Sequence, residues 1–370
     1  MSKIVISGYY GFANAGDEAM LTAIIKSLRS TEPSVELTVI SGNPEITAAQ
    51  HKVASIHRFN PLEIFTAVKD CDLLLSGGGS LLQDVTSKRS LLYYLSILAL
   101  GRILGRKVML FAQGIGPINS SFLRRLTKYV CSQVDLITVR DKDSLYELKR
   151  IGVPEEKVLL TADAVMTLPP ESKEAGAKLL QDFSVPQNKM LVGISVRKWQ
   201  DDDKYLLELA KAADMLAAKY DAHIVLLPLQ YPVDVAACQR LYDLMAHKSD
   251  STVLEADCNT EEFLSLMGNL DVLLGMRLHA LIFAAVMGIP FAAVSYDPKV
   301  DGFIKDIDGV CAGRVEKLEA GQVVAAAEKA MLRSSKGKRL LEELRKKSML
   351  NAKQAFTLLH KQNDLERSKR

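Results

Sequence analysis

The chain has 370 residues, 48% of them hydrophobic and 25% charged, an ordinary globular composition that excludes a disordered or fibrous chain. That length exceeds what one hydrophobic core usually supports, so two domains are expected. A formal net charge of +3 is too small to point to nucleic acid, and no nucleic-acid partner is expected.

The opening MSKIVISG lacks the charged-then-apolar leader and small-residue cleavage pattern of a secretory signal. Strands are predicted at 3–8 (KIVISG), 36–41 (ELTVIS), 72–77 (DLLLSG), 107–114 (KVMLFAQG), 135–140 (DLITVR) and 157–163 (KVLLTAD). After a break at LPPESKEAGAKLL (168–180) come 190–196 (MLVGISV), 222–229 (AHIVLLPL), 271–276 (DVLLGM) and 290–296 (PFAAVSY). These runs are continuous rather than alternating, as in parallel strands buried on both faces. Helical patterns lie between them, among them Glu18–Leu28, Ser121–Cys131, Leu206–Ala218 and Leu278–Met287. The rhythm predicts an α/β chain with two Rossmann-like domains, parallel sheets flanked by helices, and a central cleft as the default binding site. The expected boundaries are 1–168, a linker at 169–177, 178–335, and a basic helical extension at 336–370.

From Arg333 to Arg370 the extension carries 12 Lys/Arg against 4 Asp/Glu. Such a tail suits an anionic membrane surface or a solvated helix. The apolar runs Leu91–Leu100 and Ala280–Val294 fall short of the ~18 residues a membrane span needs. The five scattered cysteines show no C-x-x-C spacing, so neither a disulfide framework nor a zinc site is expected, and a cytoplasmic setting is.

In open parallel sheets ligands bind where strands end, so the exit loops carry the functional reading. In GYYGFANAGDEAM (8–20), Gly8, Gly11 and Gly16 allow a tight turn and Asp17 is expected to cap the helix beginning near Glu18. The loop is neither G-x-G-x-x-G nor a P-loop, so nucleotide binding gains no specific support; amides offered to an anion or sugar hydroxyls, or a plain capped turn, both fit. In SGGGSLLQD (76–84), Gly77, Gly78 and Gly79 point to a close backbone approach or to relief of crowding, with Gln83 and Asp84 placed for sugar hydroxyls. AQGIGP (112–117) adds Gln113. Arg140, followed by Asp141, fits either a surface pair or a fork for phosphate or carboxylate, and Arg197 is its counterpart in the second half. Asp163 reads as a positioning residue.

The strongest stretch is DVLLGMRLHALIFAAVMGIPFAAVSYDPKVDGF (271–303). One strand exits into Arg277, Leu278 and His279, the next into Tyr296, Asp297 and Lys299. Two cations, an imidazole and a helix N-terminus make an anion pocket with an adjustable proton.

GMRLHA followed by SYDPK, the opening GYYGFANAGDEAM loop, the LLSGGG turn and TVRD together resemble the polysaccharide pyruvyl transferases, with the bacterial CsaB type of S-layer anchoring as the nearest match. The likeness spans Gly8 to Lys299, with Ala13 departing from the family's GNxGD. It implies a fold similar to GT-B glycosyltransferases, with phosphoenolpyruvate as donor and co-substrate, no cofactor and no metal. The acceptor it implies is N-acetylmannosamine in a lipid-linked precursor of a secondary cell-wall polysaccharide, pyruvylated as a ketal. Donor binding then falls mainly to the second domain through Arg277, Leu278, His279, Lys299 and Arg197, joined by Arg140, with His279, Arg277 and Lys299 catalytic. Acceptor binding falls to the first domain through Gly11, Asn14, Asp17, Gly78, Gly79, Asp84 and Gln113. A lipid-linked acceptor also implies a peripheral position at the inner face of the plasma membrane, touched by Arg102, Arg106, Lys107, Arg124, Arg125 and the tail. The alternative is a nucleotide-sugar-dependent GT-B glycosyltransferase, for which Asp297 and Asp301 are nearby carboxylates. A non-enzymatic sugar-binding scaffold ranks below both. The sequence fixes no oligomeric state.

Overall fold

The computed structural model describes residues 1–200, 202–332 and 336–367. Arg333, Lys369 and Arg370 of the basic stretch lie outside the described residues. By internal contact the chain divides into one unit of Met1–Phe12, Asp17–Leu168 and Glu343–Arg370, and another of Ala13–Gly16 and Pro169–Glu342.

The first unit holds seven parallel strands: β1 (Lys3–Ser7), β2 (Glu36–Ser41), β3 (Ala54–His57), β4 (Leu73–Gly77), β5 (Lys107–Gln113), β6 (Leu136–Val139) and β7 (Val158–Leu160). Their order is β3-β2-β1-β4-β5-β6-β7, so the direction of travel reverses between β1 and β4. The central strands are buried throughout, as in Leu73, Leu74 and Leu75 of β4. The helix Ala15–Thr31 buries Ala19, Met20, Leu21, Ile24 and Leu28, each large side chain contributing about 1.5–3 kcal/mol.

The second unit holds six parallel strands: β8 (Met190–Ser195), β9 (Ala222–Leu226), β10 (Ser251–Val253), β11 (Val272–Gly275), β12 (Phe291–Ser295) and β13 (Val310–Arg314). Their order is β10-β9-β8-β11-β12-β13, with the reversal between β8 and β11. In both units, helical crossovers link the parallel strands. The two parallel α/β sheets agree with the predicted fold class.

Continuous hydrophobicity locates ten of the strands and misses β3, β10 and β13. All three are sheet edges. An edge strand is flanked on one side only, so it needs no unbroken apolar run. Accordingly, every residue of β3 is partly or fully exposed, β10 has three residues, and β13 has Gly313 at φ 135° and a register shift opposite Ala293 and Val294.

The C-terminal helix Lys336–Arg367 ties into the first unit through polar contacts. The Ser348 hydroxyl donates to the Asp163 carbonyl at 2.7 Å, and the Thr161 hydroxyl donates to Asn351 Oδ1 at 2.9 Å. Asn351 is fully buried; its carboxamide Nδ2 donates to the carbonyls of Ala162 and Ser348.

Candidate functional site

Four adjacent strand exits of the second unit are laced together by two arginines. The buried carboxylate of Asp234, beyond β9, takes Arg277, beyond β11: Oδ2 accepts from Nε at 2.9 Å and Oδ1 from Nη2. Gln230 Oε1 accepts from the same Nη2 at 3.4 Å, and the Gln230 backbone N–H donates to Asp234 Oδ2 at 3.0 Å. Arg197, beyond β8, donates from Nη1 to the Tyr296 hydroxyl beyond β12 at 3.2 Å and lies 5.3 Å from that ring's centroid. Trp199 packs edge-on against the same ring at 5.5 Å. Given the order β9-β8-β11-β12, each link skips one strand and spans two strand spacings, about 10 Å. Arginine has that reach.

The arrangement leaves donors to spare. Among the described residues, Arg197 Nε and the hydroxyls of Ser195 and Ser295 are buried without a hydrogen-bond partner, and the bonds of Arg277 run through Nε and Nη2 rather than Nη1. Arg277 is also the N-cap of the helix Leu278–Met287, and its side chain makes no cap bond, so the first amides of that helix add their dipole to the same edge. Leu278 is buried and packs the first turn.

His279 lies one residue further, partly exposed, its ring 6.4 Å from Phe283. The segment Ala13–Gly16 covers one side of the imidazole. A β-carbon on Gly16 would come within 2.3 Å of Nδ1, so any side chain there displaces the imidazole or the loop. The segment is anchored by Ala15 N to Leu229 O at 2.9 Å and Tyr231 N to Ala13 O at 3.1 Å. Asn14, not Asp17, caps the helix that follows: its Oδ1 accepts from the Gly16 amide at 3.1 Å, and the helix begins at Ala15. Lys299 is half-buried, with Nζ 3.4 Å from Asp297 Oδ2 and 6.0 Å from the Tyr296 ring centroid. Asp297 also accepts from the Lys299 amide at 3.0 Å and so caps the helix Pro298–Asp306.

The remaining donor candidate, Arg140, belongs to the first unit. It is buried, with Nη1 on Asp163 Oδ2 at 2.9 Å, Nε on Asp141 at 3.4 Å and Nη2 on the Ser80 hydroxyl at 3.0 Å. Burial works against its charge, but Asp163 and Asp141 outweigh it and raise its pKa. Asp163 thereby positions Arg140, and also accepts from Val165 N at 3.0 Å.

Several acceptor candidates serve the backbone around the glycine turn. Gln113 is fully buried; its Nε2 donates to the carbonyls of Gly78 at 3.0 Å and Gly79 at 2.8 Å. Gly78 and Gly79 have φ of 60° and 71°, and a β-carbon on Gly78 would strike Met20 Cε at 2.2 Å. The close approach expected there comes from this unit's own side chains. Asp84 accepts from the amides of Asn119 and Ser120, both at 2.7 Å. Burial pushes its carboxyl up, but these amides and Lys88 prevail and lower its pKa. The Gly11 amide donates to Glu18 at 2.8 Å. Asp17 stands in the first turn of the helix with its carboxylate over the turn, 3.0 Å from where a Gly79 β-carbon would sit. Asn14 lies in the second unit.

Part of the basic cluster considered for a membrane is spent internally. Arg102 pairs with Asp135 at 2.6 Å, Arg106 donates to the Cys71 carbonyl at 3.4 Å, and Lys107 Nζ donates to the Leu358 carbonyl. No helix of the described residues is long and apolar enough to cross a membrane. Sequence reasoning missed Gln230 and Asp234, because the exit of β9 was followed only to Leu229; the available signal was a carboxylate shortly after a buried strand.

Residues 14–298 match the family profile described as polysaccharide pyruvyl transferase. The amylovoran biosynthesis protein AmsJ of Erwinia amylovora is 22% identical, with 87% of this chain and 90% of that protein covered. Among solved structures, HepE of Anabaena in complex with UDP-glucose aligns with a TM-score of 0.63 at 13% identity, covering 98% of this chain and 100% of that one. The UDP-GlcNAc 2-epimerase of Methanocaldococcus jannaschii aligns with a TM-score of 0.65 at 12% identity, covering 92% and 99%. At these identities the structures establish a shared GT-B-like fold and no more.

Proposed function

The chain belongs to the polysaccharide pyruvyl transferase family, and from that premise we propose that it transfers the pyruvyl group of phosphoenolpyruvate to a sugar as a ketal, with release of phosphate. The observation that carries this reading is the laced edge of the second unit, where Arg197 and Arg277 are fixed by neutral or buried partners next to His279 and a helix N-terminus.

Phosphoenolpyruvate carries a carboxylate and a phosphate, the two groups a guanidinium fork binds best. Arg277 presents its remaining amino group, Arg197 its buried Nε, and Lys299 a point charge. The enol carbon is a weak electrophile until the methylene is protonated. His279 acts as the general acid, turning methylene into methyl and leaving oxocarbenium character on the adjacent carbon. A sugar hydroxyl adds there, phosphate departs with its charge held by the arginines, and a second hydroxyl closes the ketal. Of the two hydroxyl protons, one replaces the proton that His279 gave to the methyl and the other leaves with phosphate. The acceptor is N-acetylmannosamine in a lipid-linked cell-wall precursor, as in the CsaB type, and the protein works at the cytoplasmic face of the membrane.

The test is incubation of the purified protein with phosphoenolpyruvate and an N-acetylmannosamine-bearing lipid-linked acceptor. Phosphate and ketal should form in equal amounts, and UDP-sugars should give no transfer. Sugar transfer from a UDP-sugar, with no product from phosphoenolpyruvate, overturns the reading.

A further inference from the structure

At the carboxyl edge of its sheet, around the reversal between β1 and β4, the first unit gathers Tyr9, Phe12, Asp17, Arg58, Tyr93 and Tyr94. Arg58 follows β3, and three rings hold it: its guanidinium carbon lies 4.6 Å from the Tyr93 centroid, 5.0 Å from Phe59 and 5.3 Å from Phe12. The Tyr93 hydroxyl donates to the Arg58 carbonyl at 3.1 Å, and Phe12 is itself stacked on Tyr9 at 4.3 Å. Rings orient a guanidinium without neutralising it. Its Nε is buried and has no hydrogen-bond partner among the described residues.

Tyr94 repeats the pattern. It is 2% exposed, packs edge-on to Tyr93 at 5.2 Å, and its hydroxyl is also without a partner among the described residues. Burial, first of all, pushes that phenol's pKa well up, and Arg58, Asp17, Tyr93 and Tyr9 all act on it electrostatically, so the group is a neutral donor near the arginine. Native proteins satisfy nearly all such groups, and an exception calls for an explanation, which a bound polar ligand supplies. Two donors and a fixed positive charge require anionic oxygen. Phe59, 72% exposed, offers a ring face to a sugar.

We infer that Arg58 and the Tyr94 hydroxyl form a subsite for a sugar that bears anionic oxygens. The inference rests on the reading of the chain as a glycan-modifying transferase and names the acceptor's chemistry: the anionic group is a glycosyl phosphate or a uronate carboxylate. Charge-assisted hydrogen bonds of this kind carry roughly a tenfold or greater preference for the anionic sugar.

Calorimetric titration of the full chain, without phosphoenolpyruvate, tests it with four probes: N-acetylglucosamine 1-phosphate, glucuronic acid, free N-acetylglucosamine and inorganic phosphate. One anionic sugar should bind roughly tenfold or more tighter than the free sugar, and which one does so identifies the anion. Inorganic phosphate should bind more weakly than the sugar phosphate. Arg58→Gln should erase the preference, and Tyr94→Phe, which keeps the ring, should reduce it several-fold with an unchanged melting temperature. Equal binding of charged and free sugars, a preference that survives Arg58→Gln, or inorganic phosphate matching the sugar phosphate overturns the assignment. Should Arg58→Gln fail to fold, Tyr94→Phe and Arg58→Lys decide the matter. Because no donor is present, failure of pyruvyl transfer would show separately, as intact sugar binding without ketal formation.

Discussion

Asp234 holds Arg277 side-on across 43 positions of the chain, with both carboxylate oxygens on one edge of the guanidinium. The carboxylate is 1% exposed and the arginine side chain 13%, so the pair is shielded from screening. Asp234→Ala leaves an uncompensated charge and should cost about 3–5 kcal/mol of stability. Asp234→Asn keeps one hydrogen bond and most of the stability, yet frees the arginine to swing. Its KM for phosphoenolpyruvate should rise roughly tenfold. Unchanged donor kinetics in Asp234→Asn would remove the positioning role.

His279→Ala should lower turnover by about 10²–10⁴-fold with the melting temperature retained. Near-normal turnover would end the general-acid assignment.

Gly16→Ala places a methyl 2.3 Å from His279 Nδ1, and either the loop or the imidazole has to move. A misplacement of about 1 Å can cost on the order of 10²-fold in rate. The expected signature is a fall in kcat with a folded protein, and an unaffected kcat would show that the contact is passive.

Lys299→Ala should raise the KM for phosphoenolpyruvate roughly tenfold and leave acceptor KM alone. The partner Asp297 is exposed enough that the pair itself contributes little to stability, which makes the kinetic effect clean. No change in donor KM would strike Lys299 from the site.

His223 supplies a pH prediction. It is buried in β9 with Nε2 2.9 Å from the Thr252 hydroxyl. Burial lowers its pKa; Asp250 pulls the other way and Lys189 reinforces the lowering. The unfolded chain takes up the proton at about pH 6.5, the folded one only at lower pH. The stability this confers is therefore complete above about pH 6.5 and is lost as pH falls through the lowered folded value. The melting temperature should drop from pH 7 to pH 5, and drop less in His223→Gln. Parallel curves would exclude His223 as the cause.

The sequence made central strands visible because burial on two faces writes an unbroken apolar run, as in β4 and β11. It hid β3, β10 and β13 because an edge has a face or a flank in water. At the site, the residues with local signatures were legible: Arg277 and His279 beside a strand end, Tyr296 and Lys299 beside the next. Their partners were not. Asp234 reaches Arg277 across β8, and Arg58 meets Phe12 and Tyr93 from other loops, contacts that only the strand order creates. Chemistry also misled where a polar residue turned inward. Gln113 and Asp84 carry the groups a sugar would want, yet the nearest claimants for them are the amides and carbonyls of the glycine turn and of residues 119–120.

The helix Lys336–Arg367 has a temporal consequence. Thr161 finds Asn351 190 residues later, and the Asp163 carbonyl waits 185 residues for Ser348. During synthesis the ribosome therefore finishes every strand of the second sheet before the first unit receives its last element. A nascent chain stalled short of residue 340 leaves the Ala162 and Asp163 carbonyls, just past β7, without the partners that the helix supplies, a species for chaperones to guard, and the first unit's folding becomes the final event in making the molecule.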